Sequence, residues 1–160
     1  MNDIKNKNIL ILILIFSISA ILIALFIEYV LGHKPCNLCL IERIPYIITI
    51  LIISIFFIFK KNEKIYLFLL MIIFFFATLI SFYHFAIEQG FIKESLVCNL
   101  KNLTENLTKE DILKELKNKS ISCKDVTFRI FGLSLATINT IISLILTVII
   151  LRLFLKYEKN

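Results

Sequence analysis

Four long uncharged runs of apolar residues constrain this chain more than any other feature. Each run is close to the ~20 residues that a helix needs to cross a hydrocarbon layer of ~30 Å. The composition agrees, since 59% of the residues are hydrophobic and the mean hydropathy is +0.89. The sequence therefore predicts an all-α membrane protein, a single integral domain over residues 1–160 built as a four-transmembrane-helix bundle. The expected spans are residues 9–31, 40–59, 65–87 and 130–151.

The distribution of basic residues predicts how these spans are oriented. The net charge is +6, and eight of the 18 Lys and Arg residues crowd into the short segments 1–8, 60–64 and 152–160. The other ten spread over the two longer segments on the opposite side. Because short segments dense in Lys and Arg stay inside, both termini are expected inside. The outer loops, residues 32–39 and 88–129, then hold all four cysteines.

The second span opens on the sequence KPCNLCLIER, residues 34–43, which carries two cysteines separated by two residues. Such a pair can close a disulfide on itself, and one of its thiols is commonly held as a thiolate beside a cation or a helix N-terminus. Pro45 is compatible with a helix that starts near Glu42, and it would bend a helix that starts earlier. In either case Cys39 lies at the positive end of the helix. Arg43 follows Cys39 by about one helical turn, so its guanidinium is expected to turn back towards that sulfur. We therefore predict Cys39 as the activated thiol.

The first, third and fourth spans each contain one polar residue that matters for the prediction. A helix that starts at Ile65 reaches His84 after about 28 Å, so His84 and Cys39 are expected at similar depth. An imidazole there can hydrogen-bond or protonate a carbonyl ligand, although a plain interface histidine is the alternative. Glu28 is expected as an interfacial anchor, with a functional carboxylate as the alternative. Asn139 is expected as a buried amide that bonds a neighbouring helix, with a role in a pocket as the alternative.

The long outer loop predicts one short helix. Thr108 stands as an N-cap three residues before Asp111, and Leu107 with Ile112 forms the matching hydrophobic staple. The apolar residues that follow, through Leu116, fall on one side. This helix is therefore expected to lie on the membrane surface, or to pack on the loop itself.

The four cysteines allow three pairings, and their chemistry favours Cys36 with Cys39 and Cys98 with Cys123. A bridge between Cys98 and Cys123 closes a loop of about 25 residues and stabilises the outer segment by about 3.5 kcal/mol in the entropic account, so a structural role is an alternative there. Cys36 and Cys39 close almost no loop, which favours a redox role. A four-thiolate zinc site needs two closely spaced pairs, so no metal is expected.

These features resemble the DsbB family of quinone-dependent membrane thiol oxidoreductases, the disulfide bond formation proteins, over nearly the whole chain. The likeness rests on the four spans, on KPCNLCLIER opening the second, on His84 ending the third and on a cysteine pair in the second outer loop. The stretch FGLSL, residues 131–135, is also similar. The vitamin K epoxide reductase family shares the architecture but places its loop cysteines before its CxxC motif. The chain departs from the DsbB pattern in having no Trp and in carrying Pro45.

The resemblance implies a function in disulfide bond formation at the bacterial inner membrane, with the cysteines on the periplasmic side. A soluble periplasmic thioredoxin-like oxidase of the DsbA type, once reduced, would attack Cys98, and the released Cys123 would then attack Cys36. Cys39 would pass the electrons to a quinone, ubiquinone or menaquinone, and so to the respiratory chain. All four cysteines are thus expected to be catalytic. The residues expected to bind the quinone are Arg43, His84 and Leu135.

Two other functions stay open from the residues alone. A membrane thiol reductase of the vitamin K epoxide reductase type would use the same chemistry in the opposite direction, and the sequence carries no redox potential that decides between them. A non-enzymatic membrane scaffold would keep the loop disulfide as a structural bridge and would have no use for the CxxC motif. The charge of Arg43 at a membrane boundary is costly without a use, which speaks against the scaffold.

Overall fold

The computed structural model describes residues 2–59, 63–93, 98, 123–124, 129–130 and 132–158. Over these residues the chain forms helices α1 (Asn2–Tyr29), α2 (Asn37–Ile41), α3 (Ile44–Phe59), α4 (Glu63–Glu88) and α5 (Leu135–Glu158), with short strands β1 (Arg129–Ile130) and β2 (Leu133–Ser134). Four segments are long and apolar enough to cross a membrane, which confirms the predicted four-helix membrane bundle. They are Lys7–Tyr29, Asn37–Phe59, Glu63–Glu88 and Leu135–Lys156. The short helix expected from Thr108 lies outside the described residues.

The core of the bundle is apolar, and so is its exterior. α4 packs along α5, α1 packs on α3, and α3 packs on α4. Their shared core holds fully buried large side chains, among them Leu10, Ile53, Leu70, Phe74 and Ile150. Many other large apolar side chains point outwards along all the long helices. A surface of that kind suits a bundle surrounded by lipid, where an exposed apolar side chain costs nothing.

Glycines close α1 and α4 at the same end of the bundle. Gly32 and Gly90 have φ of +73° and +78°, a conformation that other residues rarely adopt. The chain then folds back on each helix, since His33 N–H donates to Ile27 O and Phe91 N–H donates to Ala86 O. These bonds satisfy carbonyls that the last turn leaves unpaired. We call this end of the bundle, where α2 and α5 begin, the cysteine end.

The second span is broken just inside the CxxC motif. It begins at Asn37, three residues before the expected start, and Glu42 and Arg43 form a turn between α2 and α3. Pro45 is the second residue of α3, where its missing N–H leaves no intrahelical bond unmade. Glu42 and Arg43 therefore do not lie on one continuous helix with the two cysteines.

The fourth span starts later than the sequence suggested. Residue 130 was expected to open it, but residues 129–130 pair antiparallel with residues 133–134, and α5 begins at Leu135. Gly132 makes the turn between the two strands with φ of +84°. Ser134 then caps α5, since its Oγ accepts the N–H of Thr137 at 3.1 Å. The prediction was wrong here because the apolar run continues through the hairpin and hydropathy does not register a cap.

Candidate redox site at the cysteine end of the bundle

Two disulfides meet at the cysteine end. Cys36 is bonded to Cys39 and Cys98 to Cys123, which are the pairings that the sequence favoured. Cys36, Cys98 and Cys123 are buried together in one cluster with Leu38 and Ile87, and Cys39 packs against it. The two bonds are far apart in sequence, yet the fold brings them into a single buried group. Sulfur atoms grouped in this way can exchange partners once one bond is opened.

His84 faces Cys36. Its Nε2 lies 3.6 Å from the Sγ of Cys36, and the ring is 2% exposed. Cys36 is also the N-cap of α2, where its Sγ accepts the N–H of Cys39 at 3.2 Å. The sequence assigned both the helix N-terminus and the Arg43 cation to Cys39. In the structure Cys36 is the cap, because α2 begins one residue after it, and the imidazole of His84 also faces Cys36.

Glu42 holds the His84 ring from its other side. His84 Nδ1 lies 2.7 Å from Glu42 Oε1, and the carboxylate is 9% exposed. With Nδ1–H donating to the carboxylate oxygen, Nε2 is the atom turned towards the sulfur. Sequence reasoning gave Glu42 no role. The available signal was an ionisable residue inside a span, which usually marks a functional site.

Asn139 completes this polar network from α5. Its Nδ2 donates to Glu42 Oε2 at 2.9 Å and to Ser81 Oγ at 2.7 Å. Its Oδ1 accepts the hydroxyl of Tyr46 at 2.5 Å. The expectation that Asn139 bonds a neighbouring helix therefore agrees with the structure, and one amide ties α5 to α3, to α4 and to the turn at Glu42. A network with both its donors and its acceptors paired fixes the geometry of the site.

Arg43, which was expected to stabilise the Cys39 sulfur, pairs with Glu28 of α1. Its Nη1 donates to Glu28 Oε2 at 2.6 Å, and both side chains are partly buried. The turn at Glu42 and Arg43 interrupts the continuous helix on which the expectation relied, so the one-turn spacing to Cys39 does not apply. Glu28, expected as an interfacial anchor, links α1 to the turn before α3 through this pair.

A second acidic residue borders the imidazole on its own helix. Glu88 Oε1 lies 3.8 Å from His84 Nε2, one turn further along α4. Its other oxygen accepts a hydrogen bond from Ser134, the cap of α5. This contact joins the end of α4 to the start of α5 and leaves Glu88 at the wall of the site.

A cavity of about 330 Å³ opens beside the disulfides. This volume lies in the range of small-molecule sites, and most of the lining is apolar, supplied largely by α1 and α5. The cavity collects all three residues expected to bind a cofactor and three of the four cysteines. They are Arg43, His84, Leu135, Cys36, Cys39 and Cys123. Glu42, Tyr46, Glu88 and Asn139 also line it. Of these four, the sequence raised a pocket role for Asn139 only, as the alternative to an amide that bonds a neighbouring helix.

The fold and the site define a multi-pass membrane protein in which two disulfides stand beside one small-molecule cavity. Residues 6–153 match the family model described as "Disulfide bond formation protein DsbB", so the chain belongs to the DsbB family. Membership implies thiol:disulfide oxidoreductase activity in disulfide bond formation. The chain is also similar to the uncharacterized protein RP370 of Rickettsia prowazekii (strain Madrid E), with 31% identity over 158 residues, which cover 98% of this chain and 91% of the relative.

Proposed function

We propose that the protein oxidises a soluble periplasmic dithiol protein of the DsbA type and delivers the electrons to a membrane quinone. The observation that carries this proposal is the single buried cluster that contains both disulfides, with the Cys36–Cys39 bond on the wall of the cavity. A relay between two disulfides needs them within reach of each other, whereas a structural bridge does not. The family supports the same activity, and the bacterial inner membrane is the compartment in which such a partner and a quinone meet.

The relay runs as a series of thiol–disulfide exchanges that conserve electrons. A partner thiolate attacks Cys98, the Cys98–Cys123 bond breaks, and Cys123 leaves as a thiolate. Cys123 then attacks Cys36 and displaces Cys39. The second thiol of the partner resolves the mixed disulfide and leaves oxidised, and Cys98 takes Cys123 back from Cys36. Both loop cysteines end as a disulfide, and the electron pair of the partner now resides in the Cys36–Cys39 dithiol.

The cavity suits a quinone in shape and polarity. Its apolar lining matches a ring with an isoprenoid tail, and Arg43 supplies hydrogen-bond donors for a carbonyl oxygen, with His84 on the same wall. A quinone supplies the final acceptor, since it takes up two electrons and two protons per dithiol oxidised. Cys39 is the less buried sulfur of its pair and lines the cavity, so it is the sulfur assigned to face the quinone.

His84 and Glu42 act on Cys36 in this scheme. When Cys36 is released as a free thiol, the Nε2 atom that faces it accepts or returns its proton. The hydrogen bond from Nδ1 to Glu42 keeps the ring in the required tautomer. Arg43 is positioned by Glu28, so Glu28 is a positioning residue for the quinone site.

The test is to mix the purified protein with a reduced thioredoxin-like dithiol protein and a soluble quinone, and to follow quinol by absorbance. We expect turnover by the wild type and none by Cys36→Ser. Cys98→Ser is the matched control: it should lose turnover with the protein dithiol but keep slow turnover with a small dithiol that reaches Cys36 directly. A scaffold would form no quinol, and a reductase would instead carry electrons from quinol to an oxidised partner. Either result would replace the proposal.

A further inference from the structure

Three side-chain atoms that bind metals converge at the cysteine end. The Sγ atoms of Cys36 and Cys39 and the Nε2 of His84 all lie within 4.8 Å of one another. Two thiolates and an imidazole form a ligand set that zinc prefers, and a CxxC spacing is common among zinc-binding cysteines. We propose that reduction of the Cys36–Cys39 disulfide creates a Zn²⁺ site at these three residues, and that the bound metal holds the dithiol in its reduced form.

The imidazole is already arranged as a zinc ligand. His84 Nδ1 is bonded to the carboxylate of Glu42 at 2.7 Å, which leaves Nε2 to bind the metal. A carboxylate behind a histidine in this way is the usual support of zinc-bound imidazole, because it fixes the ring and raises its basicity. Asn139 donates a hydrogen bond to the second oxygen of Glu42 at 2.9 Å, so the carboxylate that orients His84 is itself held in place.

The sulfurs are supported as well. The Cys39 N–H donates to Cys36 Sγ at 3.2 Å, and a donor of this kind stabilises a thiolate or a metal thiolate. In the oxidised protein the disulfide uses both sulfurs for each other. Reduction of the disulfide frees both sulfurs to bind a metal. Metal binding itself involves no further change of oxidation state. Binding then releases the two thiol protons to solvent.

Charge favours a divalent ion over a monovalent one. Two thiolates and a neutral imidazole cancel the charge of Zn²⁺, whereas Cu⁺ would leave one negative charge on a buried group. A net charge away from water is costly, and Cys36 and His84 are both buried. Because Cys36, Cys39 and His84 all line the cavity, a water molecule there can complete the tetrahedron.

A zinc-bound dithiol cannot reform its disulfide until the metal leaves. Zinc would therefore inhibit the reduced protein and leave the oxidised protein untouched. The site needs only that Cys36–Cys39 be reducible, and it requires neither the proposed quinone nor the proposed partner. Metal binding measured in the absence of both thus tests this site separately from the proposed function.

The experiment uses the full chain in detergent with Cys98→Ser and Cys123→Ser, so that no other thiols are present. After reduction with a phosphine and its removal, Co²⁺ is added as a spectroscopic stand-in, and Zn²⁺ is then titrated against a chromophoric chelator. We expect one Co²⁺ per chain, with thiolate charge-transfer bands and the intense visible bands of a tetrahedral site, and displacement by Zn²⁺. The oxidised protein should bind neither metal.

Two histidine variants decide whether His84 is a ligand. His84→Ala should weaken Zn²⁺ binding by at least about tenfold, and Glu42→Gln by about 10- to 100-fold. His33→Ala is the matched control, because His33 is the other histidine of the chain and lines the same cavity. Equal affinities in His84→Ala and in its parent, or an equal loss in His33→Ala, would overturn the proposal.

A measurement without substitution of the histidine guards against misfolding of the variants. X-ray absorption at the zinc edge of the reduced parent protein should show two sulfur ligands near 2.3 Å and lighter ligands near 2.0 Å, one of them with the outer-shell scattering of imidazole. A shell of oxygen alone, or two sulfurs without imidazole, would refute the site.

Discussion

Replacing Glu42 with Gln removes one hydrogen-bond acceptor from the buried network at the cysteine end. The carboxylate receives two donors, His84 Nδ1–H at 2.7 Å and Asn139 Nδ2–H at 2.9 Å. An amide of the same shape offers one oxygen and one NH₂ group. With the proton of His84 on Nδ1, one of the two contacts therefore becomes a donor facing a donor, and either His84 or Asn139 loses its partner.

The cost of this change follows from burial. A hydrogen bond to a charged group contributes about 1.5–3 kcal/mol, and a buried donor left unpaired costs a similar amount. Hydrogen bonds between helices in membranes average only ~0.6 kcal/mol where the groups find other partners. Glu42 is 9% exposed and His84 2%, so replacement partners are scarce and the larger value applies. We expect Glu42→Gln to lower the free energy of unfolding by about 1.5–3 kcal/mol.

The assay is reversible unfolding in mixed micelles, followed by far-ultraviolet circular dichroism. Glu28→Gln is the matched control: it breaks one partly exposed ion pair and should cost about 1 kcal/mol or less. Asn139→Leu should be non-additive with Glu42→Gln by about 0.5–3 kcal/mol, because the two residues share a bond. A loss below about 0.5 kcal/mol for Glu42→Gln, or strict additivity with Asn139→Leu, would refute the network as described.

Three further predictions concern the relay. Cys36→Ser and Cys39→Ser should each abolish quinone reduction while the protein stays inserted and folded, as judged by circular dichroism. Aggregation of either variant would show that the pair has a structural role. Arg43→Ala should raise the KM for quinone. Arg43→Lys should raise it less, because lysine keeps the charge although it lacks the planar guanidinium. Equal KM values in the wild type and both variants would show that Arg43 does not bind the quinone. A partner that lacks its own resolving cysteine should be trapped on Cys98, more so in Cys123→Ser, as peptide mapping after non-reducing gels would show; trapping mainly on Cys123 would reverse the order of exchange.

Local properties of the chain were enough to predict the architecture. Whether a segment can span a membrane depends on its own length and polarity, so the four spans follow from the sequence with no knowledge of packing. The Cys36–Cys39 bond is equally local, because two intervening residues hold the sulfurs near each other. The start of α5 did not follow from hydropathy. α5 begins at Leu135 only because Ser134 caps it and Gly132 turns a short hairpin, features that an apolar run conceals.

The sequence by itself determined the spans, the CxxC motif and the chemistry that two thiols can perform. Tertiary structure decided which groups those thiols meet. The pairing of Arg43 with Glu28, and of His84 with Cys36 and Glu42, joins helices whose rotation about their axes is set by packing. A long side chain at the break between α2 and α3 can point to several neighbours, and residue spacing alone does not select one. Only the packed bundle brings the two disulfides, the imidazole that Glu42 orients and the cavity to one place.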